Sequence, residues 1–349
     1  MNSDLIISAT ASVTPFGVGQ PWRNIDLDAS ALEATPIANC YGPSVCSAKV
    51  PSYDARQLLG VRSVSQFDRL TLHISVAIEY LLQNLGLAND SERARQVKDE
   101  RVSLVLGSSG PIQSILDIDL QTIEEPRYVQ PSLVPNVVFN VPASYAAIGR
   151  SIRGSCITLT DGASSSLKAL ALAQAQIECG RIDLALCGGA EEATPAYALY
   201  VQAQCARFGK PVPALFEGAA MFALESASQA KRFQRRALAK VHGCAQAFAS
   251  DDPMAALAQS LARLRAQWPS LMREVSHVYA DAAIEFERVG LRGFSLHDLS
   301  AQLGHLGAMP ACLAVQDITS SSAILAGELV LIVQAEADGS AAAALMQKY

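Results

Sequence analysis

The sequence predicts an α/β fold in which strands and helices alternate along the chain. Short apolar runs at residues 5–11 and 101–107 have the length of buried strands. Residues 68–85 instead carry apolar side chains at helical spacing and stop before Gly86, a residue type that commonly follows a helix. Half of the 349 residues are apolar and 17% are charged, so the chain can bury a large core. Alternation of this kind is typical of layered α/β domains.

The remaining elements follow the same alternation. A helix is predicted at 112–120. A strand at 155–160 then leads into an alanine- and leucine-rich helix at 164–179, which Gly180 closes, and into a further strand at 182–187. Further along, strands are predicted at 221–225, 239–248 and 275–281, helices at 254–268 and 308–315, and closing apolar runs at 329–335 and 341–346.

Charge and composition exclude several classes of function. The net charge of -6 argues against nucleic-acid binding, which needs a dense basic face. The longest uncharged stretch, 129–149, could span a membrane by length, but Pro131, Pro135 and Pro142 indicate a buried loop and helix that face another subunit. The N-terminus lacks the pattern of a signal peptide, so we expect a cytoplasmic protein without a membrane partner. None of the eight cysteines has zinc-knuckle spacing, so we predict no metal site.

The most informative segment is ITLTDGASSSLKAL at residues 157–170. A strand enters a tight turn of small residues and continues directly into a helix. The free backbone N–H groups and the dipole at a helix N-terminus favour an anion. They also lower the pKa of a thiol and can stabilise an oxyanion. The segment therefore predicts a site suited to a nucleophile.

This segment resembles the nucleophile elbow of β-ketoacyl synthases, which reads Thr-Ala-Cys-Ser-Ser-Ser-Leu or a close variant. Other motifs follow in the family's order, namely TPFG at 14–17, FDRLT at 67–71, CGGAE at 187–191, FEGAA at 216–220 and GHLGA at 304–308. The resemblance implies a thiolase-like, five-layered αβαβα fold built from two similar halves. We place an N-terminal half with a degenerate elbow at 1–225, and a shortened C-terminal half at 226–349.

The catalytic residues that the resemblance implies are missing. Ala163 stands at the position of the cysteine nucleophile, and a methyl group cannot be acylated. Asp281 stands at the first histidine, where its carboxylate would repel a carboxylate substrate. Ser300 replaces the lysine that opens the second histidine motif, of which only His305 survives. The family's Gly-Phe-Gly-Gly-Thr loop corresponds to residues 335–340, which have lost its aromatic and glycine-rich character. We therefore predict no catalytic residues in this chain.

The polar residues left at these positions have simpler structural interpretations. We expect His305 to be structural, with its ring bonded to the backbone. A serine nucleophile needs a nearby base, and the sequence places none beside Ser164, Ser165 or Ser166. We therefore interpret these three serines as N-caps of the helix.

A ketosynthase-like chain without catalytic residues resembles the chain-length factor, or β subunit, of type II polyketide synthases. The resemblance implies a heterodimer with an active ketosynthase in a polyketide, polyene or fatty-acid-like pathway. Acyl groups there are carried on phosphopantetheine by an acyl carrier protein, which this chain would contact only indirectly, and no cofactor of its own is expected. Side-chain volume at the tunnel floor would limit product length. The gating candidates are Ile112, Ile115, Leu116 and Leu133, each of which could equally be ordinary core or interface packing.

Two other functions stay open. The first is a malonyl-carrier decarboxylase that makes the starter unit, although that family places glutamine at the elbow and relies on both histidines, so Ala163 and Asp281 argue against it. The second is an inert thiolase-fold protein that binds an acyl chain or acts as a scaffold. Copurification with a ketosynthase, carbon dioxide release by the isolated chain, or a stable inert homodimer would distinguish the three.

Overall fold

The fold is described from a computed structural model, which covers residues 4–19, 35–37, 45–88, 96–125, 129, 131, 133–207, 209–250, 252–280 and 284–349. The helices are α1 (Ala55–Leu59), α2 (Arg69–Asn84), α3 (Ile112–Glu124), α4 (Val141–Gly149), α5 (Ser165–Glu178), α6 (Pro195–Arg207), α7 (Ala227–Arg232), α8 (Pro253–Gln267), α9 (Leu299–Leu303) and α10 (Pro310–Ser320). The strands are β1 (Leu5–Thr14), β2 (Gly17–Val18), β3 (Thr35–Ile37), β4 (Val45–Ala48), β5 (Val102–Ser108), β6 (Cys156–Leu159), β7 (Leu184–Glu191), β8 (Leu215–Phe216), β9 (Gly218–Ser226), β10 (Ala239–Phe248), β11 (Val275–Tyr279), β12 (Ser295–His297), β13 (Leu329–Ala335) and β14 (Ser340–Lys348).

The large sheet contains two sets of five strands with the same order and directions, and the short strand β2 pairs with β1 beside them. One set runs β6-β5-β7-β9-β1 and the other β12-β11-β13-β14-β10. In each set the first three strands are parallel. The fourth strand pairs antiparallel with the third, and the fifth pairs antiparallel with the fourth. The sets join where β1 pairs antiparallel with β10, with Leu5 opposite Val241. The two similar halves that the sequence predicts are therefore confirmed.

Helices cover both faces of each half-sheet and create five layers. Helices α5 and α10 lie between the half-sheets, where Leu170 and Leu313 belong to one buried core. Helices α2 and α4 cover the outer face of the first half, with Ile78 in its core. Helix α8 covers the outer face of the second half through Leu261. This arrangement confirms the predicted αβαβα layering.

Two glycines allow the central layer to approach the first half-sheet closely. A Cβ atom on Gly107 of β5 would lie 2.7 Å from Cβ of Ser165 at the start of α5. A Cβ atom on Gly189 of β7 would lie 2.3 Å from the carbonyl oxygen of Ala308. Because real Cβ contacts are never this short, glycine at both positions is what lets α5 and the segment before α10 meet the ends of the strands.

The segment from Val134 to Gly149 follows its prediction in secondary structure. It forms a short 3₁₀ helix, Val134–Val137, followed by α4, as the loop-and-helix prediction requires. In the single chain this segment is buried only in part, at Ala143 and Ala146, while the side chains of Val138 and Ile148 are 53% and 75% exposed, so its burial against another subunit stays a prediction. Within the described ranges, no helix has the length and apolarity that crossing a membrane would require.

Candidate functional site

The site is built around the turn between β6 and α5. After β6 the chain forms a 3₁₀ turn, Gly162–Ser164, in which Gly162 has φ +58°, a conformation that favours glycine. The Ser164 hydroxyl donates to the carbonyl oxygen of Asp161 at 2.8 Å, and the Ser165 hydroxyl accepts from the Asp161 N–H at 2.7 Å. These two hydrogen bonds stabilise the turn. The interpretation of the two serines as N-caps is wrong, since Ser164 makes no capping bond to α5.

A carboxylate from the other half of the chain caps the turn instead. One oxygen of Glu336 accepts from the N–H of Ser164 at 2.8 Å, and the nearby N–H of Ala163 also favours the charged carboxylate, which lowers its pKa slightly. Burial raises the pKa of Glu336, and the bond from Ser164 opposes that rise. Glu336 lies in the 335–340 segment, which joins β13 to β14. The sequence located this segment by its lost aromatic residue but gave no signal that its carboxylate reaches the turn.

Ala163, His305 and Glu336 line one cavity of about 550 Å³. Ser300, which replaces the family's lysine, and Tyr197 border it as well. The structure therefore brings together four of the positions that the sequence singled out, namely Ala163, Ser300, His305 and the 335–340 segment. Asp281, the fifth, lies outside the described residues, so its place relative to the cavity stays a prediction.

His305 is held by both its backbone and its ring. Its N–H donates to the carbonyl oxygen of Ala214 at 2.7 Å, and its own carbonyl oxygen accepts from the N–H of Phe216 at 3.0 Å. The Nε2 atom lies 3.0 Å from the hydroxyl oxygen of Tyr197, so the expectation that the ring bonds to the backbone is wrong. Burial lowers the pKa of His305 to about 4. The ring is consequently neutral at physiological pH and brings no positive charge to the cavity.

Two buried carboxyl groups, Glu191 and Glu192, lie at and just after the end of β7. Glu191 accepts from the N–H and the hydroxyl of Ser109 and from the N–H of Ala308, each at 2.9 Å, and ties the end of β7 to the loops after β5 and before α10. Burial raises the pKa of Glu191 to about 7. Burial and the negative charge of Asp68 raise the pKa of Glu192 to about 8. From the sequence, Glu191 was only part of a motif; no local signal indicated that it hydrogen-bonds to the loops after β5 and before α10.

The four gating candidates lie away from the turn. Ile112, Ile115 and Leu116 are half-buried at the start of α3, and Leu133 is 36% exposed just before the 3₁₀ helix. Ile112 packs against a cluster that includes Tyr197, which borders the cavity. None of the four lines the cavity itself. Their role in shaping a tunnel stays a prediction.

Two αβα halves that share a central helical layer, with a strand–turn–helix elbow facing a cavity, define a thiolase-type fold. The profile of the β-ketoacyl synthase N-terminal domain matches residues 50–211. A curated relative, 3-oxoacyl-[acyl-carrier-protein] synthase 2 of Vibrio cholerae, is 26% identical over 147 residues, which cover 42% of this chain and 34% of that protein. The match thus spans about a third of that relative's length. The chain is thus similar to the β-ketoacyl synthase family.

Solved structures extend the likeness to the whole chain. A chain of the ishigamide ketosynthase/chain length factor is 26% identical, with a TM-score of 0.81 and 99% of both chains covered. A β-ketoacyl synthase from Burkholderia phymatum has a TM-score of 0.79 at 16% identity, covering 99% of this chain and 100% of the other. A chain of a type II polyketide synthase acyl-carrier protein in complex with its ketosynthase has a TM-score of 0.77 at 16% identity, with both chains fully covered. The latter two show the shared fold alone.

Proposed function

We propose that this protein is a chain-length factor, the non-condensing β subunit that pairs with an active ketosynthase and shapes its product tunnel. The observation that carries the proposal is Ala163 at the elbow, facing the cavity. Condensation by this family starts with transfer of an acyl group to a nucleophile at that position. A methyl group offers no lone pair for that step, so a contribution of this chain comes through shape and association.

The electrostatics of the cavity support the same conclusion. A ketosynthase reaction develops negative charge on a carbonyl oxygen, which needs positive charge or free hydrogen-bond donors nearby. Here the N–H of Ser164 is engaged by the Glu336 carboxylate, and His305 is neutral with its Nε2 next to Tyr197. The cavity therefore disfavours the transition states of both condensation and malonyl decarboxylation.

The first half-sheet offers a surface for a partner. Strand β6 ends the sheet and, among the described strands, pairs only with β5. An unpaired edge is a template for another strand, and proteins usually cover it. Six of the thirteen exposed large apolar side chains of the described residues lie close by in sequence, between 123 and 148. This apolar band consists of Ile123, Leu133, Val134, Val138, Phe139 and Ile148.

The elements that carry the apolar band also pack together. Helix α4 contacts both β6 and the 3₁₀ helix Val134–Val137, which in turn contacts α3. The band and the sheet edge thus form one surface, and contiguous exposed apolar surface marks interaction sites. We infer that the ketosynthase partner covers it. Because Leu133 belongs to this surface, this gating candidate would then face the partner rather than this chain's own cavity.

Two of the similar solved structures support this assignment. One is described as a ketosynthase/chain length factor, and another as a type II polyketide synthase acyl-carrier protein in complex with its ketosynthase bound to the hexaketide. By analogy, we infer that the complex formed by this chain works on acyl groups carried on phosphopantetheine, and that the active subunit receives the carrier. A cytoplasmic location stays part of this proposal.

Coexpression with cysteine-bearing ketosynthases of the source genome tests the proposal. We expect a one-to-one complex by size-exclusion chromatography with mass detection, and no carbon dioxide release when the isolated chain is incubated with malonyl-carrier protein. Carbon dioxide release by the isolated chain would instead identify a decarboxylase. A stable homodimer that binds none of the coexpressed ketosynthases would instead favour the inert scaffold.

A further inference from the structure

The elbow of this chain already holds an anion, which the chain itself supplies. The Glu336 carboxylate accepts a hydrogen bond from the N–H of Ser164 at 2.8 Å, and the N–H of Ala163 lies near enough to favour its charged form. Backbone N–H groups at such a turn are the donors that would stabilise the oxyanion of an acyl group attacked there. Glu336 thus uses the donors that catalysis would need.

The β13–β14 hairpin fixes the backbone of Glu336 and so the position of its carboxylate. Glu336 follows β13 directly, and its N–H donates to the carbonyl oxygen of Ser340 at 2.8 Å, while its carbonyl oxygen accepts from the N–H of Gly339 at 3.0 Å. Ala335 and Ala341 pair across the two strands immediately before this turn. The hairpin therefore fixes the carboxylate against the elbow.

The elbow is shaped to receive that carboxylate. A Cβ atom on Gly162 would lie 3.0 to 3.1 Å from the carboxylate atoms of Glu336. Gly162 therefore leaves the space that the side chain fills, besides adopting its positive φ. The contact joins Gly162 and Glu336, which are 174 positions apart in the chain.

The groups around Glu336 set the sign of the local field. From α5, Lys168 attracts its charge, and from the hairpin Asp338 repels it. His305, which lines the same cavity, is neutral because burial lowers its pKa to about 4. Lys168 also pairs with Asp161 at 3.4 Å. Among these groups, Glu336 is the one that is hydrogen-bonded to a backbone N–H of the elbow, that of Ser164.

We propose that Glu336 is an internal anion that occupies the oxyanion position and keeps the elbow inactive independently of Ala163. Restoring a cysteine at position 163 would then not restore a reactive thiolate. The negative charge beside the new thiol would oppose its ionisation, and the donors that usually favour a thiolate at a helix N-terminus would already be engaged. The proposal rests on the elbow geometry and stands whether or not the chain pairs with a ketosynthase.

Alkylation of the introduced thiol by iodoacetamide tests this proposal. Iodoacetamide is neutral, and the thiolate sulfur attacks its carbon and displaces iodide. The variants are A163C, A163C/E336Q and the matched control A163C/D338N, which removes a charge from the same hairpin without touching the elbow N–H groups. Peptide mass mapping isolates the introduced thiol from the eight native cysteines. Rates are measured from pH 6 to 10 on samples with native circular dichroism.

We expect removal of the Glu336 charge to lower the pKa of the introduced thiol by about one pH unit or more, and so to raise its alkylation rate at pH 7.5 by about tenfold. The D338N control should change that rate by less than about threefold. Equal rates in A163C and A163C/E336Q would overturn the proposal. If the glutamine variant does not fold, E336A removes the same charge, and failure of both to fold while the control folds would show that Glu336 is a structural cap only.

Discussion

Replacing Ile148 with aspartate is expected to weaken binding to the ketosynthase by at least tenfold. Ile148 lies near the end of α4 within the apolar band, and its side chain is 75% exposed in the single chain. Fully burying an isoleucine side chain contributes about 1.5 to 3 kcal/mol. Three quarters of that value is about 1 to 2 kcal/mol, or roughly 5- to 30-fold in the dissociation constant. A carboxylate left unpaired in the interface adds a desolvation cost to this loss.

The matched control is Leu325→Asp. Leu325 is also a large exposed aliphatic residue, at 65%, but it precedes β13 in the other half of the chain. It should leave the dissociation constant within about twofold. Dissociation constants are measured by sedimentation or biolayer interferometry with the copurified ketosynthase, after both variants pass a thermal-melting check. Equal losses in the two variants, or no loss at Ile148, would refute the assignment of the apolar band as the interface.

The remaining predictions concern product length and pH. In the copurified complex, Ile112→Trp should shorten the products and Leu133→Ala should lengthen them by one or more two-carbon units in liquid chromatography–mass spectrometry; unchanged profiles from both would contradict the gating assignment. The pKa of Glu192 is raised to about 8 in the folded chain, against about 4.3 in an unfolded one. Its contribution to stability is therefore present at low pH and is lost as the pH rises through this interval. Glu192→Gln should accordingly melt at a higher temperature than the native chain at pH 8 and at the same temperature near pH 4.5, and an equal difference at both pH values would disprove the assigned pKa.

The fold could be predicted because it depends on signals that are local in sequence. Apolar periodicity located α2, small residues followed by a helical pattern located the turn before α5, and glycine marked the end of α5 at Gly180. The order of short motifs then fixed the layered architecture, since each motif sits on an element that the family places in the same way. Element type and order were accordingly right along most of the described chain.

The contacts within the cavity could not be predicted, because they join segments far apart in the chain. Nothing local to Glu336 indicates that its carboxylate meets Ser164, and nothing local to Tyr197 indicates that it meets His305. The serines of the elbow were misassigned as caps for the same reason, since the cap comes from the other half of the molecule. Exposure of Ile148 likewise depends on what packs over α4, which the sequence of one subunit does not specify.

Acyl transfer at the elbow needs a sulfur nucleophile at the position where this chain carries the methyl group of Ala163. Intact-mass measurement of the copurified complex after incubation with acyl- and malonyl-carrier protein tests it most directly. We expect the mass of the ketosynthase subunit to increase by one acyl group while the mass of this chain stays unchanged. A stoichiometric acyl adduct on this chain, mapped to the peptide that contains residues 161–166, would contradict it.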